Sequence, residues 1–282
     1  MEALKLFFKE FWLGLTSYWK AFKFIKQHRL YWYFFIPALL MLLIYFAGNK
    51  IMSLTIEPNF STMNGIVWYF IQMTINISIA ILLMKFAKYL VVILLSPLLS
   101  HLSQKCEKII TGNTYEISYK QIIQDVKRGV RLAIRNLIWE YFFFLIILII
   151  AYLGWNKPTE SPIFYLTFII GFYYYGFSFI DYDNERRKLN IQQSISYVRI
   201  HRGLAMGIGM IYSFLILVPV KLEILFSIST MTSFDFKAIL AFLGHLILWA
   251  LASTAPILAV VSASIAIEEI REPSKEEVEF VE

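Results

Sequence analysis

Cysteine is almost absent from this chain of 282 residues. The single Cys106 excludes an internal disulfide and any cysteine-based metal cluster. Histidine is scarce as well, and the four, at positions 28, 101, 201 and 245, show no metal-ligand spacing. No glycine-rich phosphate loop, HExxH or GxSxG occurs. Neither paired carboxylates nor a nucleophile–base set stands out, so we expect no enzyme activity, no metal and no cofactor. Charge is the most telling shortage. Charged residues make up 16% of the chain, against about a quarter in an average soluble domain. That balance excludes a disordered chain, a nucleic-acid-binding arm and a cytosolic enzyme.

What fills the space is apolar. Residues of this kind reach 59%, and aromatics alone reach 17%. One globular core of this size could not hide so much apolar surface, so the solvent must be lipid. Charge-free stretches over 30–47, 66–84, 141–155, 163–180, 204–220 and 238–267 are read as six membrane segments. A spanning helix needs about 20 mostly apolar residues, and the runs do not alternate as outer-membrane strands do. The fold expected is an all-α integral membrane protein with about six membrane-embedded helices. The third and fourth are joined by the short link 156–162 and form a hairpin, which either crosses fully or penetrates part-way. The last run is long for one crossing, and Pro256 could kink it. The organisation expected is an amphipathic interfacial helix over 1–29, one helical membrane domain over 30–270, and an acidic, flexible tail over 271–282.

Sorting the 26 basic residues by segment gives 22 on one side of the membrane and 4 on the other. The positive-inside rule then puts both termini and the two long basic links in the cytoplasm. No cleavable signal peptide is expected in residues 1–27, because Lys5, Lys9, Glu10, Lys20, Lys23 and Lys26 interrupt any apolar core. Instead Leu4, Phe7, Phe11, Leu15, Tyr18, Phe22 and Ile25 recur at helical spacing. This predicts a helix with an aromatic face in lipid and lysines on anionic head groups. The other reading is a helix packed on the protein's own cytoplasmic links.

A second amphipathic helix is expected after Gly112-Asn113, with Ser118 as its cap and Ile122, Val126, Val130 and Ile134 as its apolar face. Its basic face, with Lys127, Arg131 and Arg135, would meet lipid phosphates or draw a small anion to a pore mouth. Gln72 and Asn76 share a helix face inside the second run. They and His245, inside the last, are candidates for a polar path, or for plain hydrogen bonding between helices. Asp181, Asp183 and Glu185 beside Arg186, Arg187 and Lys188 read as a surface ion-pair network.

The order of landmarks carries a resemblance. A basic aromatic helix leads into Gln27-His28-Arg29-Leu30 and a segment with Pro37 near its start. The second segment ends in Leu95-Ser96-Pro97-Leu98-Leu99, followed by Glu107 and the turn at Gly112. The hairpin exits through Phe179-Ile180-Asp181-Tyr182, a later segment ends in Pro219, and the last carries Ala255-Pro256. This arrangement resembles the CysZ-type bacterial sulfate-uptake proteins and the etoposide-induced membrane proteins, over roughly residues 4–270. The resemblance implies a part-penetrating hairpin, a homo-oligomer in the bacterial cytoplasmic membrane, and sulfate as the small inorganic anion transported. It also implies that an anion binds at a Gly-Leu-Arg-Arg turn before the first long helix. Here that turn falls on Arg29, Leu30, Tyr31 and Trp32. The leucine matches, Arg29 replaces the glycine, and Tyr31 and Trp32 replace the arginines. The alternative function is a non-transporting membrane scaffold or lipid-associated factor. The partners expected are a bilayer with anionic head groups, a small anion and further copies of the chain, with no nucleic acid.

Overall fold

The computed structural model describes residues 2–52, 65, 67–69, 71, 93–112, 119–155, 157, 160–218, 220–227 and 236–279. Helix α1 spans Glu2–Gln27. A 3-10 turn, Tyr31–Phe34, feeds α2 over Phe35–Met52. Then come α3 (Ser96–Thr111), α4 (Tyr119–Gly154), a 3-10 turn at Pro162–Tyr165 and α5 (Leu166–Arg186). The chain continues through α6 (Ile191–Ile200), α7 (Arg202–Ile216), α8 (Leu222–Ser227) and α9 (Phe236–Glu279). The described residues contain no strand.

Local chemistry accounts for the element ends. Pro97 sits in the first turn of α3, where its missing N–H would have had no helical partner. Pro37 lies in the first turn of α2 for the same reason. Gly112, at φ 79°, closes α3 in the left-handed region. Asn190 and Gln193 cap α6 reciprocally, with N–H···O distances of 2.9 and 2.8 Å. Pro256 lies inside α9, which the structure draws as one helix through it. Pro219 lies outside the described residues.

Three described stretches are long and apolar enough to cross a membrane: Val126–Gly154, Pro162–Arg186 and Phe236–Arg271. The first two form the expected hairpin. The basic helix expected after Gly112 and the third apolar run are one helix, α4, of 36 residues or about 54 Å. Its expected cap, Ser118, lies outside the described residues. The 15-residue α7 covers only about 22 Å, so the fifth apolar run is helical for less than a full crossing. Residues 72–92, which carry most of the second run, lie outside the described residues. The acidic segment expected as a flexible tail is helical as far as Glu279.

Packing rests on small residues. Helix α7 lies between α1 and α5 and turns a glycine face to each. A Cβ on Gly203 or Gly207 would fall 2.2 or 2.4 Å from the carbonyl oxygens of Phe7 and Phe11 in α1. A Cβ on Gly209 would fall 1.8 Å from the Phe172 carbonyl oxygen in α5, and one on Gly176 would fall 1.8 Å from that of Ala205. Backbones this close are the signature of helix packing where lipid supplies no hydrophobic drive between helices. The core fills around them with Leu99, Leu102, Phe177, Phe179, Ile208, Tyr212 and the middle of α9.

Helix α1 corrects one expectation. Its buried stripe is Glu10, Gly14, Ser17, Tyr18, Ala21 and Ile25, packed on α7 and α9. Leu4, Phe8, Trp12, Trp19 and Phe22 point outward. Of the face assigned to lipid, Tyr18 and Ile25 are therefore inside the protein. The periodicity is that of a helix with two distinct faces, and the small residues mark the inner one.

Candidate functional site at the basic end of the bundle

The candidate anion turn is the exit of α1. The Leu30 N–H donates to the Ile25 carbonyl at 3.0 Å, and the His28 N–H to that of Phe24 at 3.0 Å. This is a Schellman-type closure, and Arg29 occupies its left-handed position with φ 53°. Arg29 thus adopts the left-handed backbone that favours glycine. Its side chain is exposed, while Leu30 is buried and plugs the core. Tyr31 and Trp32 stand outward at 47% and 77% exposure. The Tyr31 hydroxyl donates back to the Lys26 carbonyl at 3.1 Å, and Trp32 stacks on Phe35. One cation and two aromatic rings therefore occupy the turn.

Next to it, the Tyr33 hydroxyl lies 2.8 Å from His101 Nδ1, and the Lys105 ammonium lies 5.6 Å from the Tyr33 ring centre. Burial, and then the Lys105 charge, hold the His101 imidazole below its usual pKa, so it is neutral at pH 7. Further along α3, Cys106 is buried, and burial pushes its thiol up to about 12.

Behind the turn lies a buried ion network. Arg186 of α5 reaches Glu107 of α3 through Nε at 2.7 Å, and also meets Asp183 and the Ser103 hydroxyl. The Ser103 hydroxyl lies 3.3 Å from that of Ser264 in α9. Arg128 of α4 grips Asp181 with two N–H groups, at 3.1 and 2.7 Å, and donates to the Leu189 carbonyl. Asp181 accepts from the Ser194 hydroxyl at 2.5 Å, and Ser194 accepts from Asn184 at 2.9 Å. Arg187 bridges outward, from Asp183 at 3.5 Å to the Tyr197 ring at 4.8 Å. A separate pair joins Glu10 of α1 to His201 Nδ1 at 2.6 Å.

This corrects the expectation of a surface network at 181–188. Asp181, Asp183 and Arg186 are only 4, 2 and 7% exposed. Buried charge is tolerated because α3, α4 and α6 bring Glu107, Arg128, Ser103 and Ser194 to the α5 cluster. Sequence reasoning gives no ion-pairing role to Glu10, Glu107, Arg128 or His201. A signal for two of them exists. Glu107 ends the buried stripe Ser96, Ser100, Ser103, Glu107, and Glu10 begins the small-residue stripe of α1, both at steps of three and four.

The other candidates separate. Lys127 and Arg131 are exposed on α4. Arg135 is half-buried, with its guanidinium 5.8 Å from the Phe177 ring centre and a 3.2 Å bond to the Asn136 side-chain oxygen. Among the described residues, no hydrogen bond or ion pair joins these three to the Arg29 turn. Gln72 and Asn76 lie outside the described residues. His245 accepts the Lys221 N–H at 3.2 Å, which ties α9 to the link entering α8. The apolar face expected on α4 is turned outward at Ile134, while Leu132, Ala133 and Asn136 face the protein.

No curated protein matches the chain. Among protein families, residues 17–226 match the one described as Sulfate transporter CysZ/Etoposide-induced protein 2.4. The match takes in the turn at Arg29, the hairpin and the buried ion network apart from Glu10 and Ser264. The chain belongs to the Sulfate transporter CysZ/Etoposide-induced protein 2.4 family.

Proposed function

We propose that this chain moves a small inorganic anion, sulfate first, across the bacterial cytoplasmic membrane as a transporter or channel. The observation that carries the proposal is the Arg29 turn, inside the family match, in the left-handed backbone that a glycine would adopt there. Arg29 supplies a guanidinium fork suited to a tetrahedral oxyanion. The one-sided basic coat draws anions to that end of the molecule by its field. Both termini face the cytoplasm in this proposal, the assembly is a homo-oligomer, and no cofactor or catalytic step is involved.

The same turn also favours the second reading. Tyr31 and Trp32 present exposed rings where the family turn presents arginines. A scaffold or lipid-associated factor would use such a surface at the membrane interface. Radiolabelled sulfate uptake into liposomes separates the two. Transport predicts uptake above protein-free liposomes and a loss in Arg29→Ala at equal reconstitution. Uptake equal to that of protein-free liposomes would favour the second reading.

A further inference from the structure

A cavity of about 470 Å³ opens between α4, α5, α6 and α7. Its lining includes Arg135, Arg199, Trp139, Phe143, Ile170 and Tyr173, and no Asp or Glu. The two arginines are available for a ligand. Among the described residues, Arg135 hydrogen-bonds only the neighbouring Asn136 amide oxygen, and Arg199 makes no hydrogen bond or ion pair. Arg128 and Arg186, by contrast, are each held by carboxylates.

The lining is graded. Arg135, Trp139 and Phe143 follow at steps of four on one face of α4, so Phe143 lies about 12 Å from Arg135 toward the hairpin tip. The antiparallel α5 repeats the order, with Ile170 one turn nearer the tip than Tyr173. Arg199 sits in the last turn of α6, at the basic end. Trp139 and Phe143 are 43 and 36% exposed, so the slot opens sideways. Cations at one end and an open apolar slot below them match an anionic head on an acyl chain. A free oxyanion would gain nothing from the apolar walls, because its hydration is lost there without return.

We propose that this cavity binds one anionic phospholipid from the leaflet at the basic end. Its phosphate lies between Arg135 and Arg199, and an acyl chain runs along Trp139 and Phe143. The site stands independently of anion transport. Native mass spectrometry of the full chain tests it, with equal amounts of dioleoylphosphatidylglycerol and dioleoylphosphatidylcholine in neutral detergent. At about fivefold per arginine, the phosphatidylglycerol adduct is expected to exceed the phosphatidylcholine adduct by about 25-fold. Arg135→Gln and Arg199→Gln should each remove about fivefold, Lys108→Gln at an exposed position of α3 should remove none, and the double Arg→Lys variant should keep most of the preference. Millimolar inorganic sulfate or phosphate should leave the adduct in place. Equal retention of the two lipids by the unmodified chain overturns the proposal. So does displacement by millimolar sulfate, which would make the cavity a site for the free anion.

Discussion

Arg29 and Lys188 both hold left-handed backbone, at φ 53° and 57°, and each closes the end of a helix that feeds the polar layer. The conformation costs a side-chain-bearing residue about 1–2 kcal/mol, of which glycine's greater unfolded freedom would return about half. Arg29→Gly is therefore expected to keep or slightly raise the unfolding midpoint of the purified chain in detergent. Arg29→Val should lower stability by about 1–2 kcal/mol, since branched residues fit this region worst. Equal midpoints for the two variants would show that the turn is not strained. The buried triad behaves differently. Arg186→Met removes the cation from between Glu107 and Asp183, with a loss of about 3–5 kcal/mol. Replacing all three by apolar residues should recover most of that loss, as read from detergent unfolding curves. Cys106 offers a reactivity test. With its thiol pushed up to about 12 and fully buried, maleimide at pH 8 should label it only after denaturation. Rapid labelling of the native chain would contradict the buried placement of α3.

At the scale of elements, α7 is the keystone, because its two glycine faces set the distance to α1 and α5. Gly209→Ala puts a methyl where a carbonyl oxygen already sits and should lower stability by about 1–3 kcal/mol or more. Gly244→Ala, with nothing within 4 Å of the new Cβ, should raise helix stability by about 1 kcal/mol. Equal effects of the two on thermal stability would refute this packing. The apolar runs make α2, α4, α5 and α9 legible in the sequence, because a helix that crosses lipid must be apolar along its length. The inner faces are not legible in the same way. Lipid is as apolar as a core, so the large residues of α1, such as Trp12 and Trp19, mark the outside, while Gly14, Ser17 and Ala21 mark the contact. The ion network is hidden for a related reason. Glu107 lies 79 residues before Arg186, and only the packing of α3 on α5 makes them partners. The candidate anion turn can be located by its place before the first long helix, but its left-handed backbone appears only in three dimensions.

At the scale of the whole molecule, charge and apolar length divide the work. The apolar helices make this a membrane protein of its family, and sorted by segment 22 of its 26 basic residues fall to one side of the apolar runs in the sequence. The buried network ties α3, α4, α5 and α6 together, and α3 also meets the exit of α1 through Tyr33 and His101. The most direct measurement is sulfate flux into liposomes holding the purified full chain, set beside protein-free liposomes and the Arg29→Ala variant. Anion transport predicts saturable uptake by the unmodified chain and a clear reduction in Arg29→Ala. Uptake no faster than in protein-free liposomes would contradict the account.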